Sequence, residues 1–182
     1  VLDKTGTLTK GEPEVTDVVI GNWRLGIGDS EISNLQSHLL RLAASAERGS
    51  EHPLGEAIVR AAQARGLSLA QPDRFEAAAG QGILAQVEGH QVVVGTLKMM
   101  AERSIPLNDL EAEAARLQVE AKTAMWVAID GEVSGIIAVA DTIKPGSKEA
   151  VAQMHRLGLQ VVMVTGDNRS TAEAIAQEVG ID

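Results

Sequence analysis

A buried strand that runs straight into a glycine turn occurs at both ends of this chain, and that recurrence limits the folds open to it more than any other feature. Val1-Leu2-Asp3 reads as the last residues of a buried strand and is followed by Lys4-Thr5-Gly6. Leu159 to Val164 repeats the arrangement, followed by Thr165-Gly166-Asp167-Asn168 and a helix-like run. Ahead of that second strand, Ala150, Val151, Met154 and Leu157 recur at helical spacing, and the run stops at Gly158. A helix feeding a strand that feeds a helix predicts a parallel α/β layer.

The middle of the chain has a different texture. Ile32, Leu35, Leu39, Leu42, Ala43 and Ala46 mark one helix face that ends near Gly49, and a second helix opens at Pro53 and runs through Ile58 to Gly66. Residues 83–87 and 91–94, joined by Glu88-Gly89, read as a β-hairpin. A helix over 109–120 precedes a second hairpin, 124–129 and 133–139, joined by Asp130-Gly131. The expected organisation is a discontinuous α/β unit, residues 1–15 and 136–182, interrupted by an inserted α+β unit, residues 16–135. The insert is expected to carry an antiparallel sheet flanked by helices.

Composition narrows the function. The 182 residues are 45% hydrophobic and 23% charged, enough to bury a core, with a net charge of −9. No run of Lys and Arg builds a basic face, which argues against nucleic acid as a partner. Zero cysteines exclude disulfides and thiolate metal sites within these residues. No apolar stretch, 136–140 included, is long enough to span a bilayer. A start at Val1, inside a strand pattern and without a signal sequence, reads as a piece of a longer protein.

The strongest chemical signal is Asp3-Lys4-Thr5-Gly6-Thr7-Leu8-Thr9. A carboxylate at the carboxyl end of a buried strand, ahead of a tight turn, lies where open α/β sheets bind ligands. It can attack phosphorus to form an aspartyl-phosphate. Lys4 and the loop amides would offset incoming phosphoryl charge, Thr5 could give an oxygen to Mg²⁺, and Gly6 permits close backbone approach. The bare alternative is a capped loop. Thr165-Gly166-Asp167-Asn168 would aim the N–H groups of a helix start at an anion, or simply cap that helix.

Asp3 to Thr9 resembles the phosphorylation motif of the P-type ATPases, whose phosphorylation domain has the Rossmann-like haloacid dehalogenase fold. The resemblance makes Asp3 the residue phosphorylated by ATP. It gives Thr165 and Gly166 the phosphoryl oxygens and Asp167 the nucleotide side, with Asp3 and Thr5 as the Mg²⁺ ligands among these residues. Ser50-Glu51-His52-Pro53 resembles the Ser-Glu-His-Pro motif of the heavy-metal-transporting subfamily. That implies His52 against adenine and Glu51 on its edge. Imidazole is a flat polar-edged ring, and the only aromatics here are Trp23, Phe75 and Trp126. Gly80-Gln81-Gly82-Ile83 is similar to the subfamily's Gly-x-Gly, against whose bare backbone the nucleotide lies. Gly95 matches its Val-Gly-Asn, with Thr96 in place of Asn. Asp141-Thr142-Ile143-Lys144-Pro145 resembles the hinge, putting Asp141 and Lys144 near the phosphate path.

The same resemblance implies ATP and Mg²⁺ as cofactors and a place in the cytosolic portion of an integral membrane protein. The other partners would then be the rest of the phosphorylation domain, the actuator domain and the transmembrane helices of one polypeptide. Residues 136–142 and 162–168 resemble the copper branch. The family's later Gly-Asp-Gly-x-Asn-Asp string does not occur, so these residues alone are expected to bind ATP without autophosphorylation or hydrolysis. A nucleotide-binding module without turnover is the alternative. A soluble phosphatase of the same superfamily is disfavoured, because Thr5 stands where such an enzyme needs an acid two residues after its nucleophile.

Overall fold

The computed structural model describes residues 1–21, 29–166 and 169–181. Trp23, Asp167 and Asn168 lie outside them.

Most of the chain builds one six-stranded antiparallel sheet from β2 (Thr9–Ile20), β3 (Arg74–Ala78), β4 (Gly82–Val87), β5 (His90–Gly95), β6 (Thr123–Ile129) and β7 (Glu132–Ile143), in the order β2-β7-β6-β5-β4-β3. Helices α1 (Asp29–Glu47) and α2 (Pro53–Ala64) cover one face, and α3 (Leu97–Glu102) and α4 (Glu111–Val119) cover the other. This double cover explains the unbroken apolar runs of β6 and β7. Met125, Val127, Ile137 and Val139 pack with α1 and α2, while Trp126, Ala128, Ile136 and Ala138 pack with α3 and α4. Alternate residues of a strand face opposite sides, so a sheet buried on both sides needs apolar residues at every position. Ile137 is fully buried at the centre of β7, opposite Val18 and Met125. Ile137→Ala is expected to lower unfolding stability by about 2–5 kcal/mol in chemical denaturation, the usual cost of a cavity in such a core.

The second unit is small. Short strands β1 (Leu2–Asp3) and β8 (Met163–Val164) pair in parallel, with Leu2 opposite Met163 and Asp3 opposite Val164. Helices α5 (Ser147–Arg156) and α6 (Arg169–Val179) accompany them, and Leu8, Val151, Val161, Val179 and Ile181 form their shared core. The strand expected over 159–164 is thus regular only at Met163 and Val164, extended in effect by the Leu2 N–H donating to the Val162 carbonyl at 2.7 Å.

Both hairpins form with the expected turns, and α1, α2, α4 and α5 lie where helical spacing puts them. Strands β2 and β3 and helix α3 were not among the expected elements. Strand β2 contains Gly11 and Pro13, which weaken a strand reading, and its pairing with β7 is irregular between Thr9 and Pro13 and again between Val15 and Asp17. It is an edge strand, where a proline costs least. Strand β3, at the opposite edge, is mostly exposed and so lacks the apolar alternation of a covered strand. The β2–β7 ladder runs from Thr9 opposite Ile143 to Ile20 opposite Gly135 and therefore passes through both expected domain boundaries, at 15/16 and 135/136.

Candidate nucleotide and phosphoryl site

The parallel pairing of β1 with β8 does what the sequence alone left to resemblance: it sets the two strand-end motifs side by side. Asp3 is opposite Val164, so Thr165 follows at the adjacent strand end. Asp3 is exposed, Thr165 is half-buried and Gly166 is exposed; Asp167 lies outside the described residues.

After Asp3 the chain makes a wide turn over Lys4–Leu8, closed by the Thr9 N–H donating to the Lys4 carbonyl, with Gly6 at φ 73°. The turn is tied down from the hinge. The Thr9 hydroxyl lies 2.5 Å from Oδ2 of Asp141 and 3.0 Å from the Lys4 carbonyl, and the Gly11 N–H donates to Oδ1 of Asp141 at 2.8 Å. Lys4 is buried, its Nζ 3.6 Å from Oδ2 of Asp141. The Lys144 ammonium donates to the Gly6 carbonyl, and the Lys144 N–H donates to the Leu8 carbonyl at 2.9 Å. The Ser147 hydroxyl adds a bond to that same carbonyl at 2.8 Å. Asp141 and Lys144 thus act on the turn that carries Asp3. They hold its backbone and its lysine, and in this structure they are positioning groups.

The other motifs meet in a cavity of about 520 Å³, lined among others by Glu47, Glu51, His52, Phe75, Gly80 and Gly82. Ile83 and Thr96 also line it. His52 is exposed and is the N-cap of α2: its Nδ1 accepts the Leu54 N–H at 3.2 Å, and Pro53 occupies the first helical position. This bond orients the ring at the mouth of the cavity and leaves Nε2 and the ring face for a ligand.

The two glycines of Gly80-Gln81-Gly82 answer to different demands. Gly80, at φ 68°, has open space where a Cβ would stand, so bare backbone borders the cavity there. Gly82 is paired with Gly95, and a Cβ on it would collide with the Val94 carbonyl oxygen and the Gly95 Cα and reach 2.9 Å from Sδ of Met99. A Cβ on Gly95 would stand 2.4 Å from the Gln81 carbonyl oxygen and 2.6 Å from Sδ of Met99, so both glycines are required by the close approach of these strands and by Met99. Thr96 caps α3, its hydroxyl accepting the Met99 N–H at 3.3 Å, a task that Asn also performs.

Sequence reasoning missed Glu47 and Phe75. Glu47 ends α1, is 3% exposed, and its Oε2 has no hydrogen-bond partner. Burial pushes its carboxyl above the usual range, against a smaller lowering by a hydrogen bond from Ser50. A buried carboxylate with a bare oxygen lining a cavity is a donor-seeking group. Glu51, the residue that the motif singled out, is exposed at the rim. The signal for Glu47 was its place on the apolar stripe of α1, where an acid has no reason to be unless something polar meets it.

A second, more polar cavity of about 960 Å³ shares Leu54, Thr96, Thr123 and Ala124 with the first and reaches Lys4 and Asp141. The two form one trough from Glu47 to the turn that bears Asp3. Among the described residues no cluster of three or more His, Asp or Glu could hold a metal by itself. Asp3 and Thr5 are exposed oxygen donors, and Mg²⁺ typically takes one or two such groups while substrate phosphates and water complete its shell. The donor set fits an ion that arrives with a nucleotide.

All 182 residues match the haloacid dehalogenase-like hydrolase family, and the chain belongs to it. Within that broad class its relatives are specific. The chain is 50% identical over its whole length to the copper-exporting P-type ATPase of Bacillus subtilis, of which it spans 21%. In fold it is similar to a zinc-transporting PIB-type ATPase solved in its E2.Pi state, with a TM-score of 0.84 at 36% identity, covering 99% of this chain and 27% of that one. The N-domain of HMA6, a copper-transporting P-type ATPase, is similar to 71% of the chain, with a TM-score of 0.55 at 29% identity and 99% of that domain covered. The resemblance drawn from the motifs thus holds in sequence and in fold. The chain spans about a fifth of the length of the curated relatives it matches. No helix among the described residues is long and apolar enough to cross a membrane.

Proposed function

We propose that this chain is the ATP-binding and phosphoryl-accepting part of a copper-transporting P-type ATPase, on the cytosolic side of a membrane protein whose actuator domain and transmembrane helices belong to the same polypeptide. The observation that carries the reading is the continuous trough from a base-sized apolar cavity to the Asp3 turn. Adenine enters the first cavity beside His52 and Ile83 and along the bare backbone at Gly80. Glu47 accepts from its exocyclic amine, which supplies the partner that Oε2 lacks. Glu51 at the rim faces the sugar side. The phosphates run along the second cavity toward Lys4.

Asp3 is the nucleophile. A carboxylate oxygen attacks the γ-phosphorus in line, the bond to the β,γ-bridging oxygen breaks, and ADP leaves with that electron pair. Bound Mg²⁺ would supply charge neutralisation at the transferring group, held by Asp3 and Thr5. Lys4, steadied by Asp141, offsets the negative charge on the phosphoryl oxygens, and Thr165 with Gly166 offers polar groups from the adjacent strand end. Residues 1–8 and 144–182 form the phosphoryl-accepting unit, and the sheet from β2 to β7 with its helices, residues 9–143, forms the nucleotide unit, so the boundaries expected at 15/16 and 135/136 move to the ends of the β2–β7 ladder. The two chain crossings between them, at the Thr9 and Ile143 ends of β2 and β7, are the hinge that lets the trough close on the nucleotide.

Titration of ATP into this chain, followed by backbone NMR, tests the nucleotide site. Saturable shifts are expected at residues 47–55 and 80–83, weakened at least about tenfold in His52→Ala. Binding that leaves those residues unshifted, or that ignores the loss of His52, defeats the reading.

A further inference from the structure

Gly55 stands one turn into α2, buried, three residues after His52. A glycine inside a helix costs about 1 kcal/mol relative to alanine, and α2 has ordinary helical geometry there, so the backbone does not ask for one. The reason lies across the interface with α1. A methyl group at this position would overlap Oε2 of Glu47 and would stand 2.9 Å from the Glu47 carboxyl carbon and 2.9 Å from Oγ of Ser50. The Glu47 carboxylate occupies the notch that the missing side chain leaves.

That notch fixes more than packing. The carboxylate it seats lines the cavity and has one oxygen without a partner. Ser50, which supports the same carboxyl, is itself held by the His52 N–H donating to its Oγ at 3.2 Å. The base-binding end of the trough is thus assembled on three residues of α2 and its approach, with Gly55 as the floor.

We propose that Gly55 is a positioning residue for base selection: by leaving room for the Glu47 carboxylate, it sets the preference of the cavity for a 6-amino purine over a 6-oxo purine. An ionised carboxylate accepts from an exocyclic amine and repels a carbonyl oxygen in the same place, so the selectivity depends on where that oxygen is held. The inference rests on reading the cavity as a nucleotide site.

The test compares ATP with ITP, which differ at the 6-position of the base, by calorimetry on the wild-type chain, Gly55→Ala, Glu47→Gln and the double variant. The wild type is expected to prefer ATP by about tenfold or more. Gly55→Ala is expected to bring that preference below about threefold while ITP affinity stays within about twofold. In the Glu47→Gln background, Gly55→Ala is expected to leave the ATP-to-ITP ratio within about twofold, since the carboxylate whose place it sets is gone. A Gly55→Ala chain that loses ATP and ITP affinity equally, keeping the ratio, overturns the proposal while leaving the nucleotide site standing. A wild type that binds neither nucleotide overturns the reading beneath it. Should Gly55→Ala fail to fold, Glu47→Ala/Gly55→Ala must fold, because the overlap with Glu47 is removed and the Ser50 hydroxyl, 2.9 Å away, then has the vacated space to turn into. A double variant that is also unfolded gives the glycine another purpose and overturns the proposal.

Discussion

Asp3→Asn in the intact polypeptide is expected to abolish the acid-stable phosphoenzyme that the proposed mechanism forms from γ-labelled ATP in the presence of Mg²⁺ and copper ions. The amide has neither the charge nor the nucleophilicity to displace ADP, and no other described carboxylate shares the turn. Asp141, the nearest by connectivity, has both oxygens engaged, with the Thr9 hydroxyl at 2.5 Å and the Gly11 N–H at 2.8 Å. The variant should keep its fold, since Asp3 is exposed and no side-chain bond from it caps the turn. ATP affinity should hold or rise, because a negative charge facing the phosphates has been removed. Phosphoenzyme that persists in Asp3→Asn would place the acceptor elsewhere and sink the mechanism.

Glu47→Gln is expected to move affinity and stability in opposite directions. Burial raises the Glu47 carboxyl, so the folded chain holds a proton that the unfolded chain releases nearer the ordinary value. The stability contributed by that proton is fully present below the unfolded value and is lost as pH rises through the folded one. Above that raised value the wild type carries a buried, incompletely paired carboxylate. The glutamine variant should be more stable there, by about 1 kcal/mol, with the gap closing as pH falls toward the ordinary glutamate range. ATP affinity should drop about tenfold in the variant at neutral pH. Wild-type affinity should decline toward that of the variant as acid protonates Glu47, which then ceases to be the ionised acceptor. Glu51 and His52, the other titratable residues lining the cavity, are present in both proteins, so the difference between the two pH profiles isolates Glu47. Denaturation midpoints and calorimetric titrations across the same pH series provide the measurement. Parallel pH profiles for the two proteins would remove Glu47 from base recognition.

Much of the site was legible because its residues sit at sharp local punctuation. Asp3 and Thr165 mark strand ends, His52-Pro53 marks a helix start, and Gly80 and Gly82 flank a strand start, each visible from neighbours in sequence. Glu47 was not, because its meaning comes from burial under Gly55 of another helix. Inside α1 its place on the apolar stripe hints at burial, but the stripe does not say what covers the carboxyl or that one oxygen is left without a partner. Likewise Glu51 stands in the motif yet is exposed, and Gly95 reads as part of a ligand motif while its strictest constraint is the Gln81 carbonyl oxygen, 2.4 Å from where its Cβ would stand.

The sequence by itself determined the helices with clear apolar stripes, the two hairpins with Glu88-Gly89 and Asp130-Gly131 turns, and the glycine turn that follows Asp3. These depend on periodicity and turn geometry, which act over a few residues. Tertiary structure alone decided that β2 is a strand, since Gly11 and Pro13 are overridden only by pairing with β7, some 130 residues away at its closest to the hinge. It also decided which carboxylate is buried in the cavity and how Asp141 grips the turn behind Asp3. Those outcomes arise from long-range pairing and desolvation, energies that exist only once distant segments have excluded water from between them.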